Sequence, residues 1–146
     1  MSVLSIILTI LVGIIINLFG TFAVNIFSEP IRELNKCKRD ICMVLSFNRN
    51  KYLNPSKETL TIEESLKIQN EIRKVATELL SIKNILKYNK FFSMLNFSIK
   101  DENILEAQKS LFGLANDIGI DLSKDEIEII RSYEDDVQKA LNISLN

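Results

Sequence analysis

The sequence contains no histidine and no tryptophan, and it has only four glycines, two cysteines and two prolines in 146 residues. The absence of histidine excludes imidazole catalysis and histidine-ligated metal sites. Three of the glycines lie in or beside predicted helices, so the chain has no glycine-rich phosphate loop. We therefore expect no catalytic residue, no metal and no cofactor, and we predict that the protein is not an enzyme.

The two cysteines, Cys37 and Cys42, are separated by five positions on a predicted helix. That spacing turns their side chains to different faces. It forms neither a CxxC redox pair nor a metal-binding pair. We interpret both as small, partly buried free thiols in a reducing cytosol.

Charged side chains are absent before Glu29, and all 18 Lys and Arg and all 19 Asp and Glu lie from Glu29 onward. The uncharged run from Val3 to Phe27 is 25 residues long. As a helix it reaches about 37 Å, which exceeds the ~30 Å hydrocarbon core of a bilayer. A secretory signal peptide would need a basic start and a small-residue cleavage site, and a soluble helix is rarely apolar on every face. We predict a transmembrane helix in residues 1–28 and a soluble domain in residues 29–146.

Basic residues follow the apolar run directly, at Arg32, Lys36, Lys38 and Arg39. Because cytoplasmic flanks of membrane helices are enriched in Lys and Arg, we expect the N-terminus outside and the C-terminal domain in the cytosol. The predicted location is the bacterial inner membrane, crossed once.

Small and polar residues recur within the apolar run at a spacing of four: Ser5, Thr9, Gly13, Asn17, Thr21 and Asn25. In lipid, such a row lets helix backbones approach closely and lets polar side chains hydrogen-bond between helices. An unpaired asparagine amide is costly in hydrocarbon. The row, called the polar row below, predicts a homo-oligomer. A polar-lined pore and a simple anchor with no self-association are the alternatives.

The first soluble helix is expected to restart with Ser28 or Glu29 near its cap and Pro30 in its first turn, and to run to about Asn48. Its apolar stripe consists of Ile31, Leu34, Ile41 and Leu45. Residues 49–60 are predicted to form a loop. A capping box of Thr61 and Glu64 opens a second helix, which extends to about Tyr88. Its stripe is Leu66, Ile72, Val75, Leu79, Ile82 and Leu86.

A third helix is predicted from about Asp101 to Gly119, with Gly119 as its C′ residue. Its inward residues are Ile104, Leu105, Leu111, Phe112, Ala115 and Ile118. Ser123 and Glu126 form a second capping box, which opens a fourth helix that ends near Leu141. That helix turns Ile127, Ile130, Tyr133, Val137 and Leu141 inward. No useful alternating run is present, so we predict an all-α fold with a cytosolic four-helix bundle.

The segment between the second and third helices is aromatic and basic, and it contains Tyr88, Lys90, Phe91, Phe92 and Phe97. One interpretation places it at the membrane interface, with aromatics among headgroups and lysines near anionic lipid. The other has its aromatic side chains close the end of the bundle. A nucleotide or RNA ligand is disfavoured, because no recognised motif or stacking array accompanies the basic residues.

Two short motifs carry a resemblance to a known group of proteins: FSEPI at residues 27–31 and LFGLANDI at residues 111–118. With the apolar N-terminal run, the chain resembles a family of uncharacterised small bacterial membrane proteins with one N-terminal transmembrane helix. The likeness covers most of the chain. It implies a single-pass topology with a cytosolic helical domain, and it brings no catalytic residues.

Two classes of function remain. In the first, the membrane helix assembles and perturbs the bilayer, as in effectors of bacterial anti-phage defence. In the second, the chain is a passive anchor or adaptor whose cytosolic helices recruit a protein partner. The polar row favours the first class.

Overall fold

The computed structural model describes residues 3–55, 60–88 and 101–145, and all the regular structure in these ranges is helical. The elements are α1 (Val3–Ala23), a π-helical turn (Val24–Ser28), α2 (Glu29–Leu53), α3 (Ile62–Tyr88), α4 (Asp101–Asp117) and α5 (Lys124–Leu141). The all-α prediction is confirmed for this part of the chain.

The helix does not stop between α1 and α2. Ser28 and Glu29 both have right-handed helical backbone angles, and the Ser28 side chain makes no capping hydrogen bond. α2 begins at Glu29 with Pro30 in its first turn, as predicted, but the predicted break and cap before it are absent. Pro30 explains the π turn, because proline has no backbone N–H to donate to the carbonyl four residues earlier. Its ring would also clash with that carbonyl in a regular α-helix. A wider turn accommodates the proline without breaking the helix.

α2 ends at Leu53, five residues beyond the predicted end. The prediction of a loop from residue 49 is wrong because Tyr52 is fully buried and keeps the last turn packed on the core. Asn54 ends the helix, and its backbone N–H donates to the Asn50 carbonyl at 3.2 Å.

Both predicted capping boxes are present. The Glu64 backbone N–H donates to Thr61 Oγ1 at 3.2 Å, and the Thr61 N–H donates to Glu64 Oε2 at 3.1 Å. The same exchange joins Ser123 and Glu126 at the start of α5. Backbone and side-chain hydrogen bonds favour the ionised form of each glutamate, so the pKa of Glu64 and that of Glu126 are lowered.

α2 packs against α3, α3 against α4, α4 against α5, and α5 against α2. They enclose one core, whose largest fully buried side chains are Ile41, Leu45, Tyr52, Leu60, Ile72, Leu79, Ile104, Leu111, Leu114, Ile118, Ile130 and Leu141. The predicted inward residues are buried or half-buried except Leu66, which is 50% exposed. Ile68 takes its place, since it lies one turn before Ile72 on the same face. The side chain of Leu86 lies outside the described part.

Gly119 does not form the predicted left-handed end of α4, because none of the described glycines has a positive φ. The chain leaves the helix at Asp117, and the Ile118 N–H still donates to the Leu114 carbonyl at 3.2 Å. The Ile118 carbonyl accepts from Gln69 Nε2 at 2.8 Å. A side chain of α3 thus holds the backbone just after the end of α4.

Candidate membrane helix and its polar row

α1 contains the candidate span Ser5–Ala23, 19 residues with a mean hydropathy of 2.5. This helix is long and apolar enough to cross a membrane. None of the span is buried inside the protein, whereas the core helix of a soluble protein would be mostly buried. Its large apolar side chains are exposed around the whole helix, as expected of a helix whose solvent is lipid.

Within the polar row, the two threonines bond to their own helix. Thr9 Oγ1 donates to the Ser5 carbonyl at 2.8 Å, and Thr21 Oγ1 donates to Asn17 Oδ1 at 3.4 Å. Intrahelical bonds of this kind leave the threonine hydroxyl protons satisfied in an apolar medium. The Asn17 amide nitrogen differs, because it donates no hydrogen bond to any described residue. Asn17 therefore presents N–H donors outward, near the middle of the span.

The backbone beside Asn17 is open to close approach. A Cβ added at Gly13 would meet no atom within 4 Å, and the same holds at Gly20. These surfaces let a second helix reach backbone contact distance. Asn25, the last predicted member of the row, lies in the π turn and not in α1.

The four membrane-proximal basic residues do not form a single cluster on α2. Arg32 Nη2 pairs with Glu29 Oε1 at 2.7 Å, and both side chains are more than half exposed, so the pair adds little stability. Lys36 lines a groove between α2 and α3, whereas Lys38 and Arg39 line a different hollow on α2. Burial lowers the pKa of Lys38.

The groove between α2 and α3 has a volume of about 580 Å³. Four carboxylates line it, from Glu33, Asp40, Glu71 and Glu78, together with two lysines and several apolar residues. Cys37 lies at its base and is 3% exposed. Burial, and then the charges of Glu78 and Asp40, raise the pKa of Cys37 to about 12. The thiol stays protonated at neutral pH, which is unsuitable for nucleophilic or metal-binding chemistry.

Both cysteines are free thiols. Cys42 is half-buried on the other side of α2, and burial raises its pKa as well. No group of three or more metal-ligating side chains occurs among the residues that the structure describes.

A buried polar cluster, which the sequence analysis missed, joins α2, α5 and the C-terminal segment. Glu134 is 1% exposed, and its Oε1 accepts from the Tyr52 hydroxyl at 2.7 Å. Its Oε2 accepts from Arg49 Nε at 3.2 Å, and Arg49 Nη1 donates to the Leu145 carbonyl at 3.1 Å. Burial and the bond to Glu134 raise the pKa of Tyr52. The sequence signal was a glutamate on the buried stripe of α5.

Of the predicted interfacial residues, Tyr88 ends α3. Lys90, Phe91, Phe92 and Phe97 lie outside the described residues. Neither interpretation of this segment is tested, and both stay predictions.

Comparison of the chain with protein-family models, with curated proteins and with solved structures gives no match.

Proposed function

We propose that this chain is a single-pass protein of the bacterial inner membrane whose span associates with copies of itself through the polar row. In this proposal the N-terminus is outside, and α2–α5 form a four-helix bundle in the cytosol. The assembled spans bring their polar side chains together and perturb the bilayer. The assignment to anti-phage defence stays a prediction from the sequence.

The observation that carries the proposal is the Asn17 amide. Its N–H groups face outward from the span without an acceptor in the described part of the chain. An amide left in hydrocarbon without a partner is unfavourable, and each hydrogen bond between membrane helices contributes about 0.6–2 kcal/mol. Gly13, one turn away, adds an open backbone surface for packing. Together they favour a second copy of the helix as the missing partner.

The continuous helix supports a functional link between membrane and cytosol. α1, the π turn and α2 leave no non-helical residue between Val3 and Leu53. An assembly formed by the spans therefore constrains the positions of the cytosolic domains as well. A passive anchor has no need of such a connection.

The proposal is tested by Asn17→Leu and Gly13→Leu in the full chain. We expect wild-type protein in nanodiscs to have the mass of an oligomer and its overexpression to depolarise the membrane and arrest growth. Either substitution should reduce the oligomer size and relieve the toxicity, because the polar contact or the close approach is lost.

Ile15→Leu is the matched control, since residue 15 lies on the opposite side of α1 and remains apolar. It should behave as wild type. A monomeric wild-type protein, or an oligomer and membrane potential unchanged in Asn17→Leu, would contradict the proposal.

The second candidate is a membrane anchor whose cytosolic helices recruit a protein partner. The groove between α2 and α3 favours it, because Met43 and Ile85 line it and are 65% and 49% exposed. Exposed apolar side chains beside a concave surface are typical of docking sites. An anchor would keep its partner when the whole span is replaced by polyleucine. The bilayer-perturbing protein would lose its toxicity on that replacement.

A further inference from the structure

The two sides of α2 differ in charge. The side that faces α3 has four carboxylates in its groove. On the other side, a hollow of about 450 Å³ is lined by Ser28, Ile31, Arg32, Asn35 and Arg39. A separate hollow of about 420 Å³ shares Arg39 with it and is also lined by Lys38. Neither hollow has an acidic residue in its lining, whereas the groove on the α3 side combines four carboxylates with Lys36 and Lys74.

We propose that the first of these, called the membrane-end hollow, binds the phosphate group of an anionic phospholipid. This inference rests on the proposed membrane location, and it adds a specific ligand and site.

The donor set suits a phosphate. Arg32 and Arg39 are two turns apart on one face of α2, and the Asn35 amide lies between them. Guanidinium forks bind phosphate oxygens in pairs, and amide and hydroxyl groups supply further donors. Arg39 forms no ion pair within the described residues. Among the residues that the structure describes, Arg32 pairs with Glu29 alone, in an exposed contact that is readily exchanged for a phosphate.

The position also suits a lipid headgroup. Ser28 follows the last residue of the apolar run directly, and the helix continues from it without a break. Side chains on a helix lean toward its N-terminus, which here is toward the bilayer. Arg39 is twelve residues beyond Phe27, about 18 Å along the helix, and this lean turns its side chain back toward Arg32. Ile31 gives the hollow an apolar wall for the upper part of an acyl chain.

The test uses the full chain in an uncharged detergent, with native mass spectrometry to count bound lipid. Phosphatidylglycerol and phosphatidylcholine are added in equal amounts, and inorganic phosphate is a separate arm. We expect phosphatidylglycerol to be retained at least about fivefold over phosphatidylcholine, since each nearby basic residue contributes about that factor at an anionic surface. Equal retention of the two lipids would overturn the proposal.

Three variants locate the site. Arg32→Gln with Arg39→Gln should abolish the preference for phosphatidylglycerol. Lys36→Gln with Lys74→Gln removes the same charge from the α3 side of α2 and should preserve it. Asn35→Leu changes no charge, and it should reduce the preference because a donor is lost. Equal losses in the two double variants would mean diffuse attraction and would refute a site.

The remaining outcomes distinguish a lipid ligand from free phosphate, and failure of the lipid site from failure of the membrane proposal. If inorganic phosphate alone binds and displaces phosphatidylglycerol, the hollow takes free phosphate and the lipid assignment is overturned. If the chain stays in aqueous solution without detergent, the membrane proposal fails whatever the lipid result. If the protein requires detergent but shows no lipid preference, the phospholipid site is refuted and the membrane proposal is not.

Discussion

Single side chains in the core of this protein belong to one of two kinds. Most are aliphatic and fully buried, such as Leu79 in α3. A few are polar and satisfied, such as Glu134, which accepts from both Tyr52 and Arg49. A buried carboxylate is tolerated only when its oxygens have donors. The aliphatic residues supply stability, and the polar ones specify how α2, α5 and the C-terminal segment meet.

Leu79→Ala should lower the free energy of unfolding by about 2–5 kcal/mol, the usual range for a fully buried leucine. Leu66→Ala is the matched control in the same helix, since Leu66 is half exposed. Leu66→Ala should lower the free energy of unfolding by no more than about 0.5 kcal/mol. Urea denaturation of both variants measures the difference, and similar losses at the two positions would show that Leu79 is not in the core.

α4 and α5 approach each other closely at Gly113, which lies against the ring of Tyr133. A Cβ added at Gly113 would come within 2.7 Å of Tyr133 Cζ, too close for the ring to remain in place. Tyr133 is half-buried and packs against the core from α5. Glycine therefore serves here as a packing surface for an aromatic ring, at some loss of helix propensity.

Gly113→Ala should lower the free energy of unfolding in the wild-type background but not in the Tyr133→Ala background. With the ring present, overpacking costs about 1–3 kcal/mol. With the ring removed, alanine is favoured by up to about 1 kcal/mol through its helix propensity. The double-mutant cycle, measured by denaturation, should give a coupling of at least about 1 kcal/mol between the two positions. Additive effects would mean that the ring does not rest on Gly113.

The elements that the sequence predicted well are those defined by local chemistry. The capping boxes at Thr61 and Ser123 set the helix starts, because a cap depends on side chains three residues apart. The end of α2 was misplaced because its last turn is held by Glu134, more than eighty residues away in the chain. The end of α4 was misjudged for the same reason, since Gln69 of α3 satisfies the Ile118 carbonyl. Long-range contacts of this kind leave no local pattern.

The candidate site was predicted only in part. The spacing of the polar row follows directly from the sequence, and its members from Ser5 to Thr21 lie in α1. The separation of basic residues onto two sides of α2 depends on where α3 packs. The burial of Glu134 could be predicted only together with its partner Arg49. The sequence analysis had placed Arg49 in a loop.

On the scale of the whole molecule, the span contributes nothing to the described core. The buried apolar cluster begins at Leu34, and every other member lies later in the chain. A chain shortened to residues 29–146 should therefore fold and remain soluble without detergent. Circular dichroism should show a helical protein, and urea should unfold it cooperatively. A substantial strand signal, or a chain that aggregates without detergent, would contradict a self-sufficient domain.

The π turn that precedes Pro30 also affects how the candidate span would respond to bilayer thickness. A span of 19 residues is about 28 Å long as a helix, close to the thickness of the hydrocarbon core. In a thinner bilayer such a helix tilts, and in a thicker one it stands upright. Because α1 continues into α2 without a hinge of non-helical residues, the tilt is transmitted to the helices packed on α2. If the candidate span crosses a bilayer, the angle of α2 to the membrane surface should therefore change with the thickness of that bilayer.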